Sequence, residues 1–141
     1  MYTKIPKTVN VPTDKPPAKI RWLGNTHDVI KSFPISVRYN LGTDLRRLQD
    51  GLRPLDSGPM PGVGTGVYEL RDEDLDAWYR VIYLKQTKGK IYVLHCFTKQ
   101  SNQTSRQDTN TARLRLVEAN KELVEEGRDA NRGTRHEWGC V

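Results

Sequence analysis

"IYVLHCFTKQSNQTS", residues 91–105, begins as a run of branched and aromatic side chains and ends as a polar segment holding a single lysine. Odd and even positions of its first half are both apolar, and a strand of that kind is buried on both faces. The stretch therefore predicts an interior strand of a sheet, covered by helices on at least one side. Its end is less ordinary, because His95, Cys96, Phe97 and Lys99 carry the chain from the core to a rim. Ser105 follows, with Asp108 three residues later in the position of a capping box, so a helix is expected to start there.

Two further strands precede it, "VYELR" (67–71) and "AWYRVIYLK" (77–85), joined to each other by the acidic turn "DEDLD" and to residues 90–97 by "QTKGK". Connections this short pair strands antiparallel, in sequence order. The proline- and glycine-rich stretch 53–66, "RPLDSGPMPGVGTG", reads as a loop, since it has neither the nucleotide fingerprint nor a following helix. Before it, Val37, Leu41, Leu45, Leu48 and Leu52 recur at helical spacing, with Pro34 at the first turn and Gly51 at the end. Arg38, Asp44, Arg46, Arg47 and Asp50 fall on the opposite face and read as solvated. A brief helix over "NTHDVIKSF" (25–33), capped by Asn25 or Thr26, and a short strand within "AKIRWLG" (18–24) complete the N-terminal half. Beyond Ser105, Ala112, Leu116, Ala119 and Leu123 form the apolar stripe of a last helix, with Gly127 as its stop. Residues 1–17, with four prolines, read as a flexible lead and residues 127–141 as a loose tail. The expected fold is α+β: one domain over 18–126, in which an N-terminal strand and helices pack with a C-terminal helix on a small antiparallel β-sheet.

The chain of 141 residues carries a formal charge of +6. All of it arises in one window, 77–107, which contains Arg80, Lys85, Lys88, Lys90, Lys99 and Arg106 and neither Asp nor Glu. A one-sign field over a strand pair and its exit loop suits a phosphate backbone, whereas lysines beside a hairpin turn also serve to guard sheet edges. No apolar run approaches the roughly 20 residues of a membrane span, and the first residues lack the apolar middle of a signal peptide, so a cytoplasmic protein is expected. Cys96 and Cys140 show neither metal-ligand spacing nor a disulfide framework; reduced thiols, no metal and no cofactor are expected.

Strand parity gathers the chemistry. Arg71 shares a face with Glu69, Arg80 lies between Trp78 and Ile82 on its own face, and His95 has the parity of Phe97 and Lys99. If the strands pair in order, Arg71, Arg80, His95 and Lys99 meet on one face of the sheet. Cations with a histidine suit phosphoryl chemistry on RNA: the cations hold the charge of a pentavalent phosphorane, and His or Lys moves the proton of the 2′-hydroxyl or of the leaving 5′-oxygen. Lys85, Lys88, Lys90 and Arg106 are candidates for holding the RNA backbone, and Tyr83 for stacking on a base. Each has a plainer alternative: Arg80 pairs with Glu69 or Asp72, His95 is a hydrogen-bonded core histidine, and the tyrosines pack across strands.

The segments "KIRWLG", "LRRLQDG", "PMPGVGTGVYELR", "YRVIYL" and "IYVLHCFTKQSNQTS", then a helix from "SRQD", closely resemble in this order the phage-associated, HigB-like branch of the RelE/ParE toxin superfamily. The resemblance spans residues 18–125. It implies the toxin of a type II toxin–antitoxin system, built of helices on a small antiparallel sheet. In RelE-like members that toxin is an endoribonuclease cleaving mRNA at the ribosome; its partner is a helix-turn-helix antitoxin, through which alone operator DNA is reached. By motif position Arg80 in "YRVIY" corresponds to the strand arginine that binds phosphate, Lys99 in "FTKQ" to the basic residue past the last strand, and Arg71 in "ELR" to a third basic position. His95 is read from parity alone. Val67 and Glu69 stand where the best-known RelE members place lysines, and their C-terminal catalytic tyrosine has no clear counterpart after Ser105. Two other readings stay open: a ParE-like inhibitor of DNA gyrase, and a basic nucleic-acid-binding module without catalysis.

Overall fold

Strand β5 (Lys90–Lys99) sits where two apolar faces require, between β1 (Lys19–Trp22) and β4 (Trp78–Thr87), inside a five-stranded sheet. The computed structural model describes residues 16–101 and 103–140, without the side chains of residues 86, 87 and 129–140. β3 (Val67–Glu73) and β2 (Ser57–Pro59) continue the sheet beyond β4, giving the order β1-β5-β4-β3-β2. The meander β3-β4-β5 is antiparallel as its short turns dictate, while β1 joins β5 in parallel. The β4–β5 turn has Lys88 and Gly89 both at positive φ, 52° and 77°, the backbone of a two-residue hairpin whose twist matches the strands.

Helices cover both faces. Helix α1 (Thr26–Lys31) and helix α2 (Ile35–Gln49) pack on one, burying Ile30, Val37, Leu41 and Leu45 against Leu70, Val81, Tyr83, Ile91 and Val93. Helix α3 (Arg106–Cys140) covers the other, where Ala112, Ala119 and Leu123 meet Val67, Ile82, Leu84, Tyr92 and Leu94. The small residues Ala112 and Ala119 are fully buried and let the helix lie close to the sheet. Cys96 is buried on the α1–α2 side, and burial pushes its thiol up to about 12, which leaves it an inert core residue.

Helix α2 ends as its glycine foretells. Gly51 takes φ +79°, its N–H bonds the Leu48 carbonyl, and the Leu52 N–H bonds that of Arg47, the two bonds of a Schellman motif. Leu52 thus lies past the helix and is exposed rather than part of the stripe. Asp44, expected on a solvated face, is buried instead: its carboxylate accepts from the Leu55 N–H at 2.9 Å and pins the following loop to the helix. That loop contains β2, which three residues of Ser, Gly and Pro do not announce; it pairs Ser57 with Leu70 and Pro59 with Tyr68.

The stop expected at Gly127 does not occur, and α3 runs on to Cys140. Glycine terminates a helix by taking a left-handed conformation, which Gly51 does and Gly127 does not. At Gly127 the missing side chain serves proximity, since a Cβ there would lie 3.2 Å from the Lys88 amino group at the hairpin tip. The lead expected over residues 1–17 lies, except for Pro16 and Pro17, outside the described residues.

A bulge adjusts the interior strand. Ile82 faces His95 and Tyr83 faces Val93, so Leu94 is the extra residue. Its carbonyl accepts from Arg115 Nη1 at 3.0 Å, and the same guanidinium lies against Gly24 and reaches the Asn25 side chain. Asn25 stands at the N-cap position of α1 but spends its oxygen on Arg115 rather than on a cap. Arg115 thereby fastens α3 to both the bulge and the β1–α1 turn.

Candidate active site

The register sets three rows of side chains on the α3 face: Glu73–Trp78–Lys99, Arg71–Arg80–Phe97 and Glu69–Ile82–His95. Directly opposed residues of paired strands share a face, so Arg71, Arg80, His95 and Lys99 do lie on one side of the sheet. They occupy the end of the sheet where α3 begins, beside the loop 100–105.

The cations are not bare. Arg80 is 7% exposed, and its Nε lies 3.3 Å from Glu69 Oε1. That contact is an ion pair without hydrogen-bond alignment, since neither atom has a hydrogen-bond partner. Arg80 Nη1 donates to the Tyr79 carbonyl at 3.0 Å. The second oxygen of Glu69 accepts from Arg71 Nε at 3.2 Å, and Arg71 Nη1 donates to Asp56 at the same distance. Arg71 lies against Gly58 of β2, where a Cβ would overlap its Nη2. A guanidinium has five donors, so each arginine keeps N–H groups beyond those pairs.

Lys99 is 9% exposed and donates to Thr104 Oγ1 at 3.4 Å. Burial, and then the neighbouring charges of Arg80 and Arg71, lower its pKa below the usual lysine range, with Glu69 and Asp108 opposing. His95 stacks on Phe97, with ring centroids 5.0 Å apart, and its Nε2 is 2.8 Å from Asp108 Oδ1. Its Nδ1 is buried and without a hydrogen-bond partner. Asp108 in turn accepts from the Ser105 hydroxyl at 2.7 Å, and its N–H donates to that hydroxyl at 3.0 Å. The Ser105 cap read from sequence is formed, with Asp108 answering its hydroxyl rather than its N–H, and it is also the mount of the histidine.

The remaining candidates scatter. Arg106 is exposed in the first turn of α3, two residues after Thr104. Lys88 and Lys90 stand at the opposite end of β5, about 30 Å away along nine strand steps, and Lys90 is paired with Glu126. Lys85 lies over the Tyr68 ring, 5.8 Å from its centroid, on the α1–α2 face. Tyr83 is 2% exposed in the core of that same face, its hydroxyl 3.2 Å from Ser57 Oγ, so it packs across strands instead of stacking on a base. Sequence reading missed Asp56, Glu69 as a double partner, and Asp108. The i to i+3 spacing of Ser105 and Asp108 was visible, but its link to His95 depends on how α3 lies on the sheet.

A five-stranded mixed sheet with helices on both faces and a long C-terminal helix is compatible with a RelE-like α+β fold. The model of the family described as Phage derived protein Gp49-like (DUF891) matches residues 28–117, from α1 to the middle of α3. The chain belongs to that family, which is a RelE/ParE-like toxin family and implies an antitoxin partner. No curated protein and no solved structure matches the chain. Among the described residues no helix is long and apolar enough to cross a membrane.

Proposed function

We propose that the chain is the toxin of a type II toxin–antitoxin system of the HigB-like branch, a cytoplasmic, ribosome-dependent mRNA endoribonuclease held in check by a helix-turn-helix antitoxin. The supporting observation is the pair of neighbouring rows that bring Arg71, Arg80 and Lys99 together on one face, in a chain whose family is a toxin family. The reaction needs no metal in this reading. The 2′-oxygen gives up its proton and forms a bond to the adjacent phosphorus, the bond from phosphorus to the 5′-oxygen breaks, that oxygen takes up the proton, and a cyclic phosphate and a 5′-hydroxyl are left.

Lys99 takes the proton of the 2′-hydroxyl and hands it to the leaving 5′-oxygen; its burial and the charges of Arg80 and Arg71, which lower its pKa, favour its acting as the base. Arg80 and Arg71 hold the phosphorane through the donors their carboxylate pairs leave over, and Arg106 meets the backbone beyond. His95 takes a different role from the one its parity suggested: with Nε2 on Asp108 and Nδ1 buried, it positions the start of α3 and with it Thr104.

The test is induced expression in a bacterium, wild type beside Lys99→Ala, with mapping of new RNA 5′ ends during translation. Growth arrest with cuts inside translated messages, absent in the variant, is the expected result. Arrest with DNA damage and no RNA cuts would instead make the protein a gyrase inhibitor. Absence of arrest would favour the non-catalytic module, for which Glu69 and Asp56 already neutralising the arginines is the relevant observation.

A further inference from the structure

On the sheet face opposite the candidate site, β1 is an edge strand, and between it and α2 lies a groove of about 260 Å³. Its floor is apolar, made by Ile20, Trp22, Ile30 and Leu45, with His27 stacked on Trp22 at 4.5 Å between ring centroids. One wall is a strip of α2 bearing Arg38, Gly42 and Arg46, four residues apart and so on one side of the helix. All three are exposed, and among the described residues no hydrogen bond or ion pair engages either guanidinium. The third cation of the rim, Lys31, has Asp28 at 3.8 Å.

Gly42 is the anomaly. A glycine inside a helix is unfavourable relative to alanine. Its φ is not positive, so the backbone does not demand glycine, and a Cβ there would meet nothing within 4 Å, so internal packing does not demand it either. What a bare position on an exposed helix face provides is close approach by another backbone, here between two unpaired arginines about 12 Å apart along the axis.

We propose that this groove receives an acidic amphipathic helix of a partner protein. The helix crosses α2 at Gly42, inserts apolar side chains over Trp22 and Leu45, and sets carboxylates two turns apart against Arg38 and Arg46. The chain's own residues 1–15 are a poor occupant on charge, with Lys4, Lys7 and Lys15 against Asp14 alone. The groove and the candidate active site lie on opposite faces, so the proposal stands apart from the nuclease reading.

The probe is a synthetic helix-stabilised peptide of about five turns, with leucines on one face flanked by two glutamates two turns apart, and a twin with lysines for the glutamates. Both are titrated calorimetrically into the full-length wild type, into the double variant Arg38→Glu/Arg46→Glu, and into Gly42→Gln. Wild type is expected to bind the glutamate peptide and not its twin, and the charge-reversed chain to exchange that preference. Gly42→Gln is expected to weaken binding on the order of tenfold, while its thermal midpoint stays level or rises, which rules out misfolding as the cause. Equal binding of both peptides, binding of neither, or unchanged affinity in Gly42→Gln overturns the proposal. So does binding of a short single-stranded RNA that the arginine variants abolish, or self-association of the chain that they abolish, because the occupant is then a nucleic acid or a second copy.

Discussion

Glu69 and Arg80 are the residues where structure and chemistry pull against each other. Both are nearly buried, and each is the other's countercharge, with Arg71 sharing the carboxylate. Removing one partner of such a pair leaves an uncompensated charge in the core. Arg80→Ala should therefore cost about 3 kcal/mol of stability, seen as a lower urea midpoint. Adding Glu69→Gln should restore part of that loss without restoring growth arrest, and a double variant no more stable than the single would show the pair to be energetically idle. Lys99 makes a second prediction at this scale. Its pKa in the fold is lowered, so the folded state disfavours the protonated amine, and this group's contribution to stability grows as pH rises from the folded value toward about 10.4. If the neutral amine takes the 2′-hydroxyl proton, RNA cleavage should rise with pH through that lowered value. Lys99→Arg should flatten the ascending limb, and a limb that survives the substitution would assign the proton to another group.

Helix α3 is the element that assembles the site, and its attachments are polar at both ends of the packed region. Near its start, the Ser105–Asp108 cap holds His95; further along, Arg115 takes the bulge carbonyl, and Glu122 makes a two-pronged pair with Arg21 of β1, both contacts 3.1 Å. The hydrogen bond from Arg21 holds the Glu122 carboxyl below its usual range despite partial burial. Its contribution is thus present above the unfolded value of about 4.3 and is lost as pH falls through the folded one. Glu122→Gln should make the acid limb of a stability-versus-pH curve shallower, which chemical denaturation at several pH values would measure. Gly127 gives a sharper test of the element itself. Because the helix continues through it, Gly127→Ala should raise stability by up to about 1 kcal/mol, with the flexible end of Lys88 yielding to the new methyl. A loss of stability would mean that Gly127 ends the helix after all.

Across the whole molecule, the basic window divides into two ends of one sheet. Lys99 and Arg106 belong to the end where α3 starts, while Lys88 and Lys90 belong to the hairpin tip, where Glu126 answers one of them. Replacing Lys88 and Lys90 together with alanine should leave growth arrest and RNA cleavage within about twofold, whereas the same change at Lys99 and Arg106 should abolish both. The salt dependence of RNA binding should follow, its slope becoming shallower by about 0.7 for each phosphate no longer neutralised, and only for the second pair. Equal effects from the two pairs would restore the single continuous field that the linear charge pattern suggested.

The alternation that makes β3, β4 and β5 a meander, the two-sided apolarity that puts β5 inside the sheet, and the stripe and glycine end of α2 are all written along the chain. Parity with in-order pairing also predicts that Arg71, Arg80, His95 and Lys99 share a face, although the bulge at Leu94, which the sequence does not announce, shifts the parity of β5 on the way. These are local properties, written in residues near one another along the chain. Tertiary structure alone decided what surrounds those side chains. Asp56 reaches Arg71 from the loop before β2, and Asp108 reaches His95 from α3. A window free of acids along the chain is for that reason not a surface free of acids: electrostatics acts through space, and Glu69, Asp56 and Asp108 all come from outside that window.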